Sequence, residues 1–196
     1  MPCIIYLTLG RYNFIMRIAI NGFGRIGRIF LRSIISNPDI QVVAINDLSD
    51  TETLAHLFKY DSVHRTFNGP VKCDAGNLYI NRKQIKVLSE KEPSKLPWKE
   101  LNIDLVIEST GKFTTKHGAG QHLLAGAKQV IISAPSADKS VPTVVIGVND
   151  NLTDLQSPIL SNASCTTNNV ATMVKILDDN WSIIDGYITT VHSMTG

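Results

Sequence analysis

Cysteine is scarce in this chain, with only Cys3, Cys73 and Cys165 among 196 residues. They lie far apart, form no C-x-x-C pair and have no histidines spaced beside them as zinc ligands, which excludes a disulfide framework and argues against any metal site. A large excess of either charge is lacking too, with 19 Lys and Arg against 17 Asp and Glu. A net charge of +2 and the lack of any Lys/Arg run exclude a polybasic face, so neither nucleic acid nor membrane is expected as a partner. No apolar run is long enough to cross a bilayer, and the stretch from Pro2 to Leu9 is too short for that. No basic segment precedes that stretch and no small-residue cleavage site follows it, so no signal peptide is expected. Internal repeats and low-complexity tracts are absent. What is present, 43% hydrophobic and 18% charged residues, suits a globular enzyme with an ordinary core.

The run Met16-Arg17-Ile18-Ala19-Ile20-Asn21 predicts a short buried strand, and Gly22-Phe23-Gly24-Arg25-Ile26-Gly27 follows it directly. This is G-x-G-x-x-G between a strand and a helix whose apolar face is Ile26, Ile29, Phe30 and Ile34. The first glycine permits the tight turn, the second lets the backbone approach a pyrophosphate, and the third lets helix and strand pack closely. The helix N-terminus supplies the anion site. A second strand, Gln41 to Asn46, ends at Asp47. An acid there accepts hydrogen bonds from the adenosine ribose hydroxyls and repels the 2′-phosphate of NADP, which favours NAD. A tight structural turn is the alternative source of such glycines.

Cys165 stands in Ser161-Asn162-Ala163-Ser164-Cys165-Thr166-Thr167-Asn168, and beyond it Val170, Met173, Val174 and Leu177 recur at helical spacing. A helix opening near Cys165 is therefore predicted, with free N–H groups and the positive dipole end favouring a thiolate. Thr189-Thr190-Val191-His192 is β-branched and predicts a strand carrying one histidine. Cysteine with histidine makes an activated nucleophile with a base beside it, although a buried Cys and a strand His can each be structural.

Between these ends, strands and helices alternate. A helix is expected over Thr51 to Tyr60, small strands over Val71 to Val87 around the Gly76-Asn77 turn, and a Pro-bounded turn over Pro93 to Trp98. Further strands are expected at Ile103 to Ile107, Lys128 to Ser133 and Val144 to Val148, and a helix at Lys116 to Ala127. The alternation argues for an α/β fold with a doubly wound, mainly parallel sheet, whose ligand crosses the carboxyl ends of the strands. Ser109, Thr110, Gly111 and Ser133 fall at such ends.

Seven stretches in order, INGFGRIGR (Ile20–Arg28), AINDL (Ala44–Leu48), KYDSVH (Lys59–His64), ESTGKF (Glu108–Phe113), IISAPSAD (Ile131–Asp138), SNASCTTN (Ser161–Asn168) and TTVHSMT (Thr189–Thr195), resemble the phosphorylating glyceraldehyde-3-phosphate dehydrogenase family. The resemblance runs from Met16 to Gly196. It implies a Rossmann-type dinucleotide-binding domain over residues 16–163 and the truncated start of an α+β catalytic domain over 164–196. Residues 1–15 are expected to be an extension outside the fold, either an over-extended start or a disordered tail.

The resemblance also implies roles. NAD would be held by Asn21, Gly22, Phe23, Gly24, Arg25, Ile26, Gly27, Asp47, Lys91 (at a position usually Arg), Ser109, Thr110, Gly111 and Ser133. Cys165 would attack an aldehyde, and His192 would raise its thiolate fraction and take the proton of the resulting hemithioacetal. After hydride transfer to NAD, inorganic phosphate would cleave the thioester, turning glyceraldehyde 3-phosphate into 1,3-bisphosphoglycerate in glycolysis. Ser164, Thr166 and Thr195 would bind phosphate groups, although Ser164 is equally a helix cap and Thr195 equally a strand former. A reduced cytoplasmic setting and a full-length homotetramer are implied as well. Two other functions stay open: erythrose-4-phosphate dehydrogenase, and an NAD-binding module without turnover. Two positions depart from the family pattern. Asn169 stands where many members have a second cysteine, and Arg65 where many have glycine.

Overall fold

The computed structural model describes residues 15–192. The predicted amino-terminal extension, apart from Ile15, and the predicted phosphate ligand Thr195 lie outside the described residues. Strand β1 (Met16–Asn21) leads through the glycine turn into α1 (Arg25–Ile34), β2 (Ile40–Asn46) and α2 (Thr51–Lys59). Three short strands follow, β3 (Val71–Asp74), β4 (Asn77–Ile80) and β5 (Lys83–Leu88), then a 3-10 turn at Pro93–Lys95. Next come β6 (Leu105–Glu108), α3 (Lys116–Leu124), β7 (Gln129–Ile132), β8 (Ile159–Ser161) and α4 (Cys165–Trp181).

All eight strands form one sheet in the order β3-β4-β5-β2-β1-β6-β7-β8. The pairings from β5 to β8 are parallel and only the β3-β4-β5 meander is antiparallel. Apolar side chains cover both faces, as a buried parallel sheet requires. Because successive side chains alternate, Ile18 and Ile20 pack with Phe30, Leu31, Leu54 and Phe58 of α1 and α2. Ala19 faces the other way, with Trp98, Val106, Ala119 and Ile132. The chain leaves β1 towards β2 on one side and later returns to β6 on the other. That reversal opens a crevice above the carboxyl ends of β1 and β6, where the glycine turn lies. No helix among the described residues is long and apolar enough to cross a membrane.

Two predicted strands are absent. Val144 to Val148 turns instead: Val145 N–H donates to Asn149 Oδ1 at 2.8 Å, Gly147 takes φ +79°, and only Thr143 bridges to Ser161. Residues 189–192 are not a strand either. β-branched residues favour a pleated surface with neighbours, and no described segment pairs with this one. Conversely, β8 was not foreseen. It has three residues, too few to show a period, and joins the sheet by pairing with β7.

Candidate functional site: a glycine turn, a cleft and a paired thiol

The three glycines of the turn differ in what surrounds them. Gly22 takes φ +89°, and a Cβ there would lie 2.7 Å from the Thr110 amide nitrogen. A Cβ on Gly27 would lie 2.3 Å from the Gly22 carbonyl oxygen. Gly24 meets nothing within 4 Å and lines the cleft. The first and third glycines are thus required by protein contacts, and the second leaves open room beside the first turn of α1. No side chain caps α1 and its first turn carries no acid. Its amino-terminal N–H groups and dipole therefore remain directed at that space, a donor set suited to a pyrophosphate.

The cleft encloses about 600 Å³ and is lined by Asn21, Gly22, Asp47, Lys91 and Thr110 among others. Asp47 does more than face it. Its Oδ2 accepts the Phe23 N–H at 2.7 Å and its Oδ1 accepts the Ser49 N–H at 2.9 Å. The carboxylate at the end of β2 thereby fixes the glycine turn. Arg28 Nη1 donates to the Phe23 carbonyl at 2.9 Å and closes the turn from the other side. The Phe23 ring is buried and stacks near Phe58 with centroids 6.0 Å apart, so Phe23 anchors the turn with its ring as well as its backbone.

Other predicted ligands are partly committed to the protein. Ser109 Oγ donates to the Gly22 carbonyl at 2.6 Å and lies 3.1 Å from that of Asn21. The Thr110 hydroxyl bonds Glu108 and accepts the Lys112 N–H at 3.1 Å. These hydroxyls hold the turn together, and the N–H groups of the same two residues are taken as well, by the Asn21 carbonyl and by Glu108 Oε1. Gly111 takes φ +73° and Arg25 and Ile26 are exposed at the head of α1. Ser133 lies elsewhere, in a second cavity of about 400 Å³ with Ile26, Phe30, Ser164 and Cys165. The glycine helix and the cysteine thus line one cavity.

Cys165 is the first residue of α4. Ala163 takes φ +56°, a left-handed conformation unusual for alanine, where the chain turns from β8 into the helix. Ser164 then caps α4: its hydroxyl accepts the Thr167 N–H at 2.9 Å and also contacts Thr167 Oγ1 at 2.8 Å. The helix-capping reading of Ser164 thus holds. Cys165 Sγ lies 3.5 Å from His192 Nε2. The His192 hydrogen bond, followed by that of Thr166, holds the thiol below its ordinary value against a smaller opposing effect of burial. Both side chains are exposed towards an open cavity of about 1000 Å³.

Three buried polar residues escaped sequence reasoning: Asn46, which lines the cleft, and Glu108 and His122 beneath it. The signal was a charged residue closing the apolar run Leu105-Val106-Ile107, and a histidine on the face of α3 shared with Gly118 and Ala119.

Residues 16–116 match the family described as Glyceraldehyde 3-phosphate dehydrogenase, NAD binding domain. Residues 164–196 match the C-terminal domain of the same enzyme. The glyceraldehyde-3-phosphate dehydrogenase of Thermotoga maritima is 55% identical over 181 residues, covering 91% of this chain and 54% of that protein. The enzyme of Geobacillus stearothermophilus is 50% identical, covering 92% of this chain and 54% of its own length. The chloroplastic glyceraldehyde-3-phosphate dehydrogenase A of Chlamydomonas reinhardtii is 52% identical, covering 92% and 49%. The chain thus spans about half the length of the curated relatives it matches. The match over residues 16–116 and relatives at 50% identity or more, beside a glycine turn at the head of α1 and an acid at the end of β2, place the chain in the glyceraldehyde-3-phosphate dehydrogenase family, whose NAD-binding domain it contains.

Proposed function

We propose that this chain carries the NAD site and the nucleophile–base pair of an NAD-dependent phosphorylating aldehyde dehydrogenase that oxidises glyceraldehyde 3-phosphate to 1,3-bisphosphoglycerate. The observation that carries the reading is Cys165 Sγ at 3.5 Å from His192 Nε2, with Cys165 also lining the cavity that residues of the glycine helix line. We read residues 16–163 as the dinucleotide domain and 164–196 as the beginning of the catalytic domain.

In this reading the head of α1 binds the pyrophosphate through the backbone of Gly24, Arg25 and Ile26, while Asp47 and Lys91 take the adenosine end. NAD, when bound, supplies the hydride acceptor. Cys165 acts as thiolate, forming a carbon–sulfur bond to the aldehyde carbon. His192 raises the thiolate fraction and removes the proton from the hydroxyl of the hemithioacetal. The Cys165 N–H at the head of α4 stabilises negative charge on that oxygen, as an oxyanion donor does. The thioester left by oxidation is then open to inorganic phosphate, for which Thr166 and Thr195 are proposed ligands. A cytoplasmic setting suits a thiol that must stay reduced, and a homotetramer is proposed for the full-length protein.

The test is NADH formation by this chain with glyceraldehyde 3-phosphate and phosphate, followed by absorbance, beside its Cys165→Ser variant. Reduction of NAD by the wild type and none by the variant is expected. NAD binding without reduction would leave the chain a binding module. A preference for erythrose 4-phosphate in the same assay would replace the substrate.

A further inference from the structure

A buried chain of side chains runs beneath the cleft. Trp98 Nε1 lies 2.9 Å from His122 Nδ1. An indole nitrogen only donates, so Nδ1 accepts and the imidazole carries its proton on Nε2. That proton points at Glu108 Oε2, 3.0 Å away. The same oxygen accepts from Asn21 Nδ2 at 2.6 Å. The 3.4 Å approach of Asn21 Nδ2 to His122 Nε2 therefore sets two donors side by side, both aimed at one carboxylate. Glu108 Oε1 takes the Thr110 N–H at 2.8 Å and the Thr110 hydroxyl.

The chain continues beyond Glu108. Asn21 Oδ1 accepts from Asn46 Nδ2 at 2.7 Å. Asn46 Nδ2 also donates to the Glu90 carbonyl at 2.8 Å, and Asn46 Oδ1 accepts the Glu90 N–H at 2.8 Å. Asn21 ends β1, Asn46 ends β2, Glu108 ends β6, and Glu90 follows β5. Asn21, Asn46, Glu90 and Thr110 all line the cleft. Phe113 lines it too, and its ring meets His122 edge-on at 6.4 Å.

Glu108 and His122 have no exposed side-chain surface. Burying a carboxylate and an imidazole is costly, and well-packed apolar residues commonly serve a core as well or better. Here the buried pair is instead tied to residues that line the cleft: Glu108 accepts from Asn21 and Thr110, and His122 donates to Glu108. We propose that Glu108 and His122 are positioning residues of the cofactor cleft, with Trp98 setting the His122 tautomer, so that Asn21 and Thr110 are held ready for the part of NAD lying over β1 and β6. This rests on the cleft being the NAD site. Glu108 is acceptor-only towards four donors, a demand that a glutamine does not meet because its amide NH2 must face two of them.

The test measures affinity of the chain for NAD and for AMP, which contains only the adenosine end that Asp47 and Lys91 serve. Glu108→Gln is expected to weaken NAD about tenfold or more, the loss expected for a hydrogen bond to a charged group, while AMP stays within about twofold. Trp98→Phe, which removes the indole donor and part of the buried ring, is expected to weaken NAD about threefold with AMP unchanged, so that a general loss of packing shows as a loss of both. It is also expected to release His122 into exchange between tautomers in its ring nitrogen resonances, where the wild type shows Nε2–H alone. If both ligands weaken together, or neither does, the positioning role is overturned while the cofactor reading stands. A wild-type chain that binds no NAD overturns both.

Discussion

Cys165 Sγ stands 3.5 Å from His192 Nε2 although 27 positions of sequence separate the two residues. The thiol sits where a helix begins, and the imidazole arrives from the chain that returns past α4. The contact gives the sulfur its depressed titration, with His192 as the largest cause. A depressed thiol gains thiolate as pH rises through a lower midpoint than a free cysteine has, so reactivity at neutral pH is the property to measure.

Alkylation by iodoacetamide at neutral pH is expected to be faster at Cys165 than at Cys73, which is also exposed. His192→Ala is expected to slow Cys165 and to move its pH–rate midpoint upward, leaving Cys73 unchanged. Equal rates for Cys165 in the two proteins would remove His192 from this role.

Gly24 and Gly27 separate function from packing. A methyl group on Gly27 would strike the Gly22 carbonyl at 2.3 Å, so Gly27→Ala is expected to lose about 3 kcal/mol by overpacking. Gly24 has open space and sits at the cap of α1, where alanine costs only about 1 kcal/mol. Gly24→Ala is therefore expected to stay folded while its NAD affinity falls about tenfold or more, because the methyl group enters the room left for the pyrophosphate. Urea unfolding beside NAD titration reads both quantities. Equal stability losses for the two variants would refute the distinction.

Asp47→Ala removes the acceptor of the Phe23 N–H as well as the acid facing the cleft. The expected result is weaker NAD binding together with a lower ratio of NAD to NADP affinity. Measured ratios that match in wild type and variant would show that Asp47 serves the turn alone.

Arg65 takes φ +61°, a conformation that glycine adopts freely and other residues adopt at a cost of about 1 kcal/mol. Its backbone carbonyl accepts from Arg32 Nη1 at 2.9 Å, a bond that any residue keeps. Arg65→Gly is thus expected to raise the melting temperature by about 2–4 °C. A lower melting temperature would mean that the arginine side chain contributes more than its backbone strain removes.

Local geometry was the legible part. Strands β1 and β2, the glycine turn between them and Asp47 follow from apolar runs, positive φ and the short reach of one carboxylate. The opening of α4 at Cys165 was also legible, because a serine cap and spaced apolar residues are near neighbours in sequence. Pairing was not. Val144 to Val148 and residues 189–192 have strand-like composition, yet a strand exists only where another backbone accepts its ladder. Glu108 and Asn21 meet across 87 positions, and no period or spacing announces such a contact. The hydroxyls of Ser109 and Thr110 stand at the predicted strand end, but their partners are protein groups that only the folded turn brings near.

Helix α4 has no buried residue, and its two ends are held unequally. At the head, Asn168 Nδ2 donates to the carbonyls of Asn162 at 2.8 Å and Ser164 at 2.9 Å, and Asn162 N–H reaches Ile132 of the sheet at 2.9 Å. At the tail, Leu177 and Trp181 are exposed and Ser182 turns away with φ +56°. The helix is a lever about 25 Å long, clamped at one end. The sulfur rides on the clamp, whereas the imidazole reaches it along the segment that follows the far end. Amide exchange is therefore expected to quicken from Asn168 towards Trp181, and a uniform rate along the helix would show that both ends are held alike. A tilt of this lever changes the sulfur–imidazole gap, because the two atoms are anchored at opposite ends of it.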